Sequence, residues 1–357
     1  MNEKAANSDA FTHGGSVVGN TSAGSPTDLS KAPQSDELIN RIKESADKLA
    51  RDGSSRGDLK IVSRALRELR SAFKVFSPYR NQRKVSVFGS ARTSQEDPRY
   101  QQAVELGRLM AKNDWLVLTG AASGIMEAGH QGAGRSHSMG LNIMLPFEQD
   151  ANPVIAGDPK LVHMKYFFTR KLMFVKECDA VVCCPGGFGT LDEALEVLTL
   201  LQTGKREMVP VVFLDVPGKN YWKVFHDFIV DHLLTDGMIS ENDLSLFKLT
   251  DNAQEAVDEI LQFFRVYHSM RFVKQQLVLR LQSAPSEQLL ADINQNFSDI
   301  LVDGEFISCA ALPEEKDQPD LADMPRLAFH FDRRSHGRLR EMIDCLNRGS
   351  IDETPPT

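Results

Sequence analysis

The sequence predicts an α/β fold: a doubly wound parallel sheet with N-terminal helices and a small C-terminal α+β appendage. Apolar runs alternate with helical patterns over residues 82–265. These runs are continuous, as expected for strands covered on both faces, and Gly-rich turns follow three of them. Because ligands bind beyond the carboxyl ends of parallel strands, these turns mark the predicted site.

The N-terminal region divides into a tail and two helices. Residues 1–35 are rich in Gly, Ser, Asn, Thr and Pro, and we predict a disordered tail because they carry too little apolar surface to offset chain entropy. Apolar residues then recur at helical spacing on both sides of a Gly-Ser stretch at 53–57. We therefore predict helices within 36–81.

The central domain, 82–268, contains the predicted parallel sheet. Its strands are predicted at Val85–Phe88, Trp115–Thr119, Gly140–Leu145, Ala180–Cys184 and Val209–Leu214. Its helices are predicted at 98–112, 124–135, 166–177, 190–202, 221–234 and 252–264.

The pattern changes after residue 268. A β-α-β-β-α order predicts the α+β appendage at 269–348, followed by a tail at 349–357. Its strands are expected at Leu277–Leu281, Glu305–Ala311 and Leu327–Phe331, and its helices at 286–298 and 335–347. No motif in this region indicates chemistry.

Composition excludes several classes of protein. A net charge of −8 and a pI near 5.7 argue against nucleic-acid and anionic-membrane partners, although a local basic pocket for a small anion remains open. No apolar run approaches the roughly 18 residues that span a bilayer. The five cysteines form no C-x-x-C pair, so neither a disulfide framework nor a zinc site is indicated. We expect a soluble cytoplasmic protein.

The segment CCPGGFGTLDEALEVL, 183–198, carries the strongest motif. Glycines between a strand and a helix let the backbone approach a ligand, and the N–H groups at the helix start then favour a phosphate. Thr190 adds a hydroxyl donor. Thr190 and Glu193 also match a T-x-x-E capping box, which would merely satisfy the helix N-terminus, and spacing alone favours that alternative.

The segment KYFFTRKLMFVKE, 165–177, supplies the positive charge. Arg170 and Lys171 are candidate ligands of a phosphate or carboxylate, and Phe167 offers a stacking face for a base. A basic amphipathic helix with aromatic core residues would give the same pattern, and that simpler explanation is favoured by the segment alone.

The segment VLTGAASGIMEAGHQGAGRS, 117–136, repeats the phosphate-loop pattern more weakly. Gly120 and Gly124 bracket a turn into a helix whose first turn carries Glu127. We retain all three as candidate substrate-binding residues, with a close helix–sheet contact as the alternative. The histidines show no metal-ligand spacing, and we predict neither a metal nor a cofactor.

Together these strings resemble the LOG (Lonely Guy) family. VSVFGSART, the two segments above, GLNIMLPFEQDANP and VPVVFLD occur in the order and spacing of that family, over about 82–265. The family has a Rossmann-like fold and the signature P-G-G-x-G-T-x-x-E, and its members are often mislabelled as lysine decarboxylases. The resemblance implies hydrolysis of a nucleoside 5′-monophosphate, of AMP or cytokinin type, to a free base and ribose 5-phosphate.

The resemblance also implies roles for individual residues. The family's signature glutamate falls on Glu193 and its catalytic arginine on Arg170. The implied 5′-phosphate ligands are Gly186, Gly187, Gly189 and Thr190, and Ser90 with the Gly120–Gly124 turn would line the same crevice. Family members are commonly dimers, which implies a homodimer here. Electrostatic stabilisation of an oxocarbenium-like state by Glu193 would require no metal.

One departure from the family leaves an alternative open. Where the family usually has Gly-Gly-Gly, this chain has Gly120-Ala121-Ala122, and the added Cβ atoms restrict the turn. A non-catalytic nucleotide-binding or sensor protein on the same fold is therefore the second hypothesis. The third, an amino-acid decarboxylase, would need a pyridoxal-phosphate lysine, for which Lys171 is the nearest candidate.

Overall fold

The computed structural model describes residues 33–145, 150–316 and 318–349. The chain divides into two compact units, Met1–Leu59 and Lys60–Thr357. In the first unit, helix α1 spans Pro33–Arg51, and Ser55 and Asp58 exchange hydrogen bonds at the start of helix α2, Arg56–Phe76. The predicted tails lie almost entirely outside the described residues.

The second unit contains the predicted parallel sheet. Its seven strands lie in the order β4-β3-β2-β1-β5-β6-β7, and each pairs with its neighbours in parallel. They are β1 (Lys84–Phe88), β2 (Leu116–Thr119), β3 (Ser138–Ile143), β4 (Leu161–Met164), β5 (Ala180–Cys183), β6 (Val211–Leu214) and β7 (Lys248–Thr250). The predicted doubly wound α/β fold is confirmed.

Helices cover both faces of this sheet because both faces are apolar. Val117 of β2 packs into one buried cluster, whereas its neighbours Leu116 and Leu118 pack into another. The first cluster includes residues of α3 (Pro98–Lys112), α4 (Ile125–Ala133) and α8 (Ala253–Phe263). The second includes residues of α2, α5 (Phe167–Glu177), α6 (Phe188–Gln202) and α7 (Tyr221–Phe228).

The connections leave β1 and β5 in opposite directions. β1 leads through α3 to β2 on one side, and β5 leads through α6 to β6 on the other. The two central strands thus form a topological switch point, where a crevice opens beyond their carboxyl ends. The Ser90 N–H donates to the Pro185 carbonyl at 3.1 Å and joins the two strands just past their ends.

A second, antiparallel sheet follows with the order β10-β11-β9-β8. Its strands and helices are β8 (Tyr267–Val273), β9 (Gln276–Leu281), α9 (Glu287–Asn296), β10 (Leu301–Cys309), β11 (Arg326–Phe331) and α10 (His336–Arg348). β10 is an edge strand whose pairing with β11 has register shifts between Leu301 and Asp303 and between Asp303 and Ile307.

Several elements differ from the prediction. The strands β4, β7 and β8 were not predicted, since they are short or carry polar residues that interrupt the apolar pattern. Helix α6 begins at Phe188 rather than 190. The helix predicted at 221–234 is α-helical only to Phe228 and continues as a π-helix over Ile229–Leu234.

A buried ion triad joins β9, β11 and the connection between β10 and β11. Glu315 accepts a hydrogen bond from Arg280 Nε at 3.0 Å and one from Arg326 Nε at 2.9 Å. All three side chains are buried. Burial alone would raise the pKa of Glu315, but hydrogen bonds from Arg326, the Leu312 N–H and Arg280 outweigh it and lower the pKa.

We expect Glu315→Gln to destabilise the second sheet strongly. The substitution leaves two buried guanidinium groups without a counter-charge, which typically costs about 3–5 kcal/mol. Urea unfolding measures the loss. The matched control is Glu314→Gln, whose carboxylate forms an exposed pair with Lys274, and we expect little change there. Equal effects of the two substitutions would contradict the importance of the triad.

Candidate functional site

A cavity of about 810 Å³ lies at the switch point, within the size range of small-molecule sites. It is lined by segments that follow β1, β2, β3 and β5 and by the start of α5 and α6. Nine of the predicted site residues line it: Ser90, Gly120, Phe167, Arg170, Gly186, Gly187, Gly189, Thr190 and Glu193.

The floor of this cavity is the turn between β5 and α6. Gly187 is the N-cap of α6, and as a glycine it has no side chain that could cap the helix. The Thr190 and Leu191 N–H groups donate hydrogen bonds to the Gly187 carbonyl. The N–H groups of Phe188 and Gly189 therefore precede the first intrahelical hydrogen bond. No side chain would crowd a ligand here, since a Cβ at Gly187 or Gly189 would meet nothing within 4 Å.

The capping-box interpretation of Thr190 and Glu193 is wrong. A capping box requires Thr190 at the N-cap, but Thr190 lies in the first turn of α6 and Glu193 in the second. Both side chains are buried. Their orientation therefore comes from packing of the helix rather than from a cap.

Gly186 allows the close approach that shapes the turn. A Cβ at this position would overlap the Thr190 side chain and lie 3.0 Å from the Ser90 nitrogen. The Tyr221 hydroxyl donates to the Gly186 carbonyl at 2.6 Å and holds the turn from the other side. Tyr221 was not predicted, because it lies in a different helix, far along the chain.

Arg170 is held at the cavity wall by its neighbours. Its Nε donates to the Leu141 carbonyl at 2.8 Å, and its guanidinium lies 5.3 Å from the centre of the Phe174 ring. A Cβ at Gly120 would overlap the guanidinium. Gly120 therefore provides the space that Arg170 occupies.

Glu193 is a buried carboxyl at the cavity, with 8% of its surface exposed. Burial raises its pKa to about 7, and the positive charges of Lys171 and Arg170 oppose this shift. Near neutral pH the group is therefore available in both protonation states, as acid–base chemistry requires.

Lys171 acts on Glu193 from outside the cavity. It pairs with Asp192 at 2.9 Å and Glu196 at 2.9 Å, and its Nζ lies 3.8 Å from Glu193. Burial would lower the pKa of Lys171, but these carboxylates raise it above the ordinary value. A protonated lysine in three ion pairs does not suit the Schiff base of pyridoxal phosphate, so these contacts oppose the decarboxylase hypothesis.

The Gly120–Gly124 turn contributes only part of its length to the cavity. Gly120 and Ala122 line it, whereas Gly124 does not. A Cβ at Gly124 would overlap the Ser90 carbonyl, so this glycine serves the packing of α4 against the end of β1. Glu127 also lies outside the cavity. Burial, followed by the negative charge of Glu127, raises the pKa of the Tyr100 hydroxyl.

Ala121, which stands where the LOG family usually has glycine, introduces strain into the backbone of the Gly120–Gly124 turn. Ala121 is buried and adopts φ +60°, in the left-handed region that costs roughly 1–2 kcal/mol for residues with a Cβ. Hydrogen bonds hold it there: its N–H donates to Thr119 Oγ1 at 3.0 Å, and its carbonyl accepts from the Asn152 N–H at 2.9 Å. The turn therefore keeps a shape suited to glycine.

The buried side chains of Asn152 and His130 support this turn. The Asn152 side chain donates to the Ala122 carbonyl at 3.1 Å and lies 3.2 Å from His130 Nδ1. His130 Nε2 lies 2.9 Å from the Met139 carbonyl. Burial lowers the pKa of His130 to about 4, so the imidazole is neutral and structural.

Sequence reasoning missed several other cavity residues, among them Arg92, Asn142 and Phe188. Arg92 follows the first Gly-Ser turn, Asn142 is a polar residue within an apolar strand, and Phe188 stands between two glycines with 93% of its surface exposed. The interruption of an apolar run by Asn142 was a usable signal.

The described residues contain neither a candidate membrane span nor a metal-binding cluster. None of their helices is long and apolar enough to cross a membrane. Within the same ranges, no group of three or more His, Cys, Asp or Glu side chains could hold a metal ion.

Comparison with known proteins gives consistent matches. The sequence profile of the family described as "possible lysine decarboxylase" matches residues 120–260. A cytokinin riboside 5′-monophosphate phosphoribohydrolase of Arabidopsis thaliana is 31% identical over 188 residues, which cover 51% of this chain and 83% of the relative. A cytokinin riboside 5′-monophosphate phosphoribohydrolase of Oryza sativa subsp. japonica is 31% identical over 192 residues, which cover 52% of this chain and 75% of the relative.

Solved structures also match about half of the chain. The molybdenum cofactor carrier protein of Chlamydomonas reinhardtii aligns with 20% identity and a TM-score of 0.36, covering 51% of this chain and 97% of that protein. The sequence relatives decide the assignment, because the chain covers most of their length at over 30% identity. The chain belongs to the LOG family of nucleotide phosphoribohydrolases.

Proposed function

We propose that the cavity at the switch point hydrolyses the N-glycosidic bond of a nucleoside 5′-monophosphate. The observation that carries this proposal is the placement of a buried carboxyl, Glu193, and a guanidinium, Arg170, at one cavity whose floor is the open N-terminus of a helix. The relatives named as cytokinin riboside 5′-monophosphate phosphoribohydrolases support a substrate of this class.

The 5′-phosphate would bind at the start of α6. The N–H groups of Phe188 and Gly189 and the partial positive charge of the helix N-terminus favour an anion. The open space above Gly187 and Gly189 admits phosphate oxygens to hydrogen-bond distance of the backbone. Arg170 and Arg92 add positive charge at the same cavity.

In the reaction, the oxygen of a water molecule bonds to C1′ of the ribose. The C1′–N bond breaks, its electron pair remains on the base nitrogen, and a proton from the water is transferred to the base. The transition state resembles an oxocarbenium ion, which the carboxylate form of Glu193 stabilises. With a pKa of about 7, Glu193 is also suited to accept the water proton and pass it on.

Lys171 would act as a positioning residue. Its contacts with Asp192, Glu193 and Glu196 fix the second and third turns of α6 relative to α5. The positive charge also lowers the pKa of Glu193, which keeps a larger fraction of this carboxyl ionised.

We expect Glu193→Gln to slow release of the base by about a hundredfold or more, because one electrostatic partner of the transition state is lost. Chromatography of the base released from AMP and from a cytokinin riboside monophosphate measures the rate. The control is Glu196→Gln, which removes another carboxylate paired with Lys171 but lies outside the cavity. Wild-type turnover in Glu193→Gln would refute the catalytic role. Tight AMP binding without base release by the wild type would favour the binding-protein alternative.

The same variant has a stability readout that does not depend on activity. The pKa of Glu193 is about 7 in the folded protein against an ordinary value of 4.5, so ionisation above pH 4.5 opposes folding. At pH 8 we expect Glu193→Gln to raise the free energy of unfolding by up to about 3 kcal/mol. Urea unfolding at pH 8 and pH 5 tests this, with a smaller gain expected at the lower pH.

The pH dependence of kcat/KM should change when the positive charge of Lys171 is removed. If ionised Glu193 is required, kcat/KM falls as the pH drops through about 7. Removal of the Lys171 charge in Lys171→Met raises the pKa of Glu193, so the acid limb should move to higher pH. The control is Lys176→Met at the far end of α5. Superimposable pH profiles for Lys171→Met and the wild type would exclude this electrostatic coupling.

Two glycine substitutions separate packing from phosphate binding. Gly186→Ala places a methyl against Thr190, and we expect a loss of about 1–3 kcal/mol in unfolding free energy. Gly187→Ala meets no atom within 4 Å, so stability should be unchanged while KM for the nucleotide rises. An unchanged KM in Gly187→Ala would place the phosphate elsewhere.

A further inference from the structure

A second cavity of about 810 Å³ lies at the opposite edge of the parallel sheet. Its walls include residues 80–83, which precede β1, residues 178 and 179, which precede β5, and residues 205–209, which precede β6. The start of β8 and residues 318–321 form the other side. The cavity thus lies between the two sheets and far from the glycine turns.

Basic side chains outnumber acidic ones in this cavity, although the whole chain carries a net charge of −8. The acidic members are Asp179, Glu207 and Asp320. The basic members are Arg80, Arg83, Lys176, Lys205 and Arg206. A cavity with an excess of one charge concentrates ions of the opposite sign.

Two of the arginines are fixed in place by protein contacts. Arg83 lies 3.6 Å from the centre of the Phe264 ring and 3.5 Å from the Asp179 carboxylate. Arg206 donates to the Cys178 carbonyl and lies 3.2 Å from the Cys178 sulfur. Guanidinium groups held in this way present their remaining N–H donors in a defined direction.

Arg80 and Lys205 differ from the other cations of the cavity. Both are exposed, and neither forms an ion pair or a side-chain hydrogen bond with any residue in the described ranges. They are therefore free to contact a ligand at the cavity mouth without breaking an existing interaction.

Tyr267 lines this cavity and carries a buried hydroxyl, which supplies an independent indication. Tyr267 is 1% exposed, and its hydroxyl has no hydrogen-bond partner among the described residues. A buried hydroxyl without a hydrogen-bond partner destabilises the fold unless something binds it. Its charged neighbours are Glu207 and three arginines, Arg83, Arg206 and Arg280.

The charged groups that act on the neighbouring His268 are arginines. Burial, followed by the charges of Arg83, Arg280 and Arg326, lowers the pKa of His268 to about 4. The imidazole next to Tyr267 is therefore neutral at physiological pH. A bound anion would relieve the same positive field.

Helix polarity explains only part of this arrangement. The carboxyl ends of α5 and α6 lie on this side of the sheet, and basic side chains commonly offset the negative end of the helix dipole. That accounts for Lys176 and for Arg206. Arg80 caps the 3-10 turn that follows α2, and Lys205 lies three residues beyond α6, so helix polarity favours a basic residue at both positions as well. It does not explain the unpartnered hydroxyl of Tyr267.

We propose that this cavity binds a phosphate-bearing anion with at least two negative charges. Arg80 and Lys205 contact it at the mouth, and Arg83, Arg206 and Tyr267 lie at the wall. The proposal does not depend on the reaction at the other cavity, and its test measures binding alone.

Pyrophosphate is the probe, and the first cavity must be excluded from the measurement. Gly187→Asp places a carboxylate at the candidate phosphate position of that cavity without a steric clash, since a Cβ there meets nothing within 4 Å. In this background, calorimetry should detect one pyrophosphate per chain. Adding Arg80→Glu with Lys205→Glu should weaken binding at least tenfold. The control is the charge-matched pair Lys112→Glu with Lys223→Glu, on exposed helical positions outside the cavity.

Absence of binding in the Gly187→Asp background would overturn the proposal, as would an equal loss of affinity in the control pair. Retained affinity in Arg80→Glu with Lys205→Glu would overturn it as well. A parallel titration with ADP identifies the source of the phosphates. Tighter binding of ADP than of pyrophosphate supports a nucleotide ligand, and weaker binding supports a free polyphosphate.

Discussion

The hydrogen bond between the Ser90 N–H and the Pro185 carbonyl joins the ends of the two central strands, and the candidate active site depends on this junction. The chain turns away in opposite directions after β1 and β5, which opens the crevice. At the junction the backbone passes so close to Thr190 that only glycine fits at 186. The start of α6 is thereby fixed relative to β1, and with it the donor groups that face the cavity.

The charges at the candidate site illustrate a conflict between stability and function. Burial of Glu193 opposes its ionisation, while Lys171 and Arg170 restore part of that ionisation. A fully exposed carboxylate would cost the fold nothing but would act in water, where its interaction with a developing positive charge is weak. The intermediate situation, a pKa close to the operating pH, is common in acid–base catalysts.

Much of this arrangement was predictable from the sequence, because glycine turns at strand ends obey local rules. The fold class and the switch-point crevice follow from the alternation of apolar runs and helices, whereas the assignment of Arg170 and Glu193 to that crevice rested on the resemblance to the LOG family. The roles of these residues remain predictions.

The wrong predictions concern features that tertiary packing determines. The T-x-x-E string suggested a cap at Thr190, yet the helix begins earlier because Gly187 can turn into it without a side chain. Lys171 was expected at the substrate but contacts carboxylates on α6, and Tyr221 supports the glycine turn from a distant helix. Such long-range contacts leave no periodic signal in a single sequence. Strands with polar residues, such as Tyr267–Val273, were missed for a related reason.

The edge strand β10 has a consequence for the behaviour of the protein in concentrated solution. It is nine residues long, and much of it is exposed, which would normally offer a template for pairing with another chain. Its two register shifts and the positive φ of Gly304 interrupt the regular row of backbone donors and acceptors. An approaching strand would find no continuous ladder there, so the irregular edge acts as a built-in protection against aggregation.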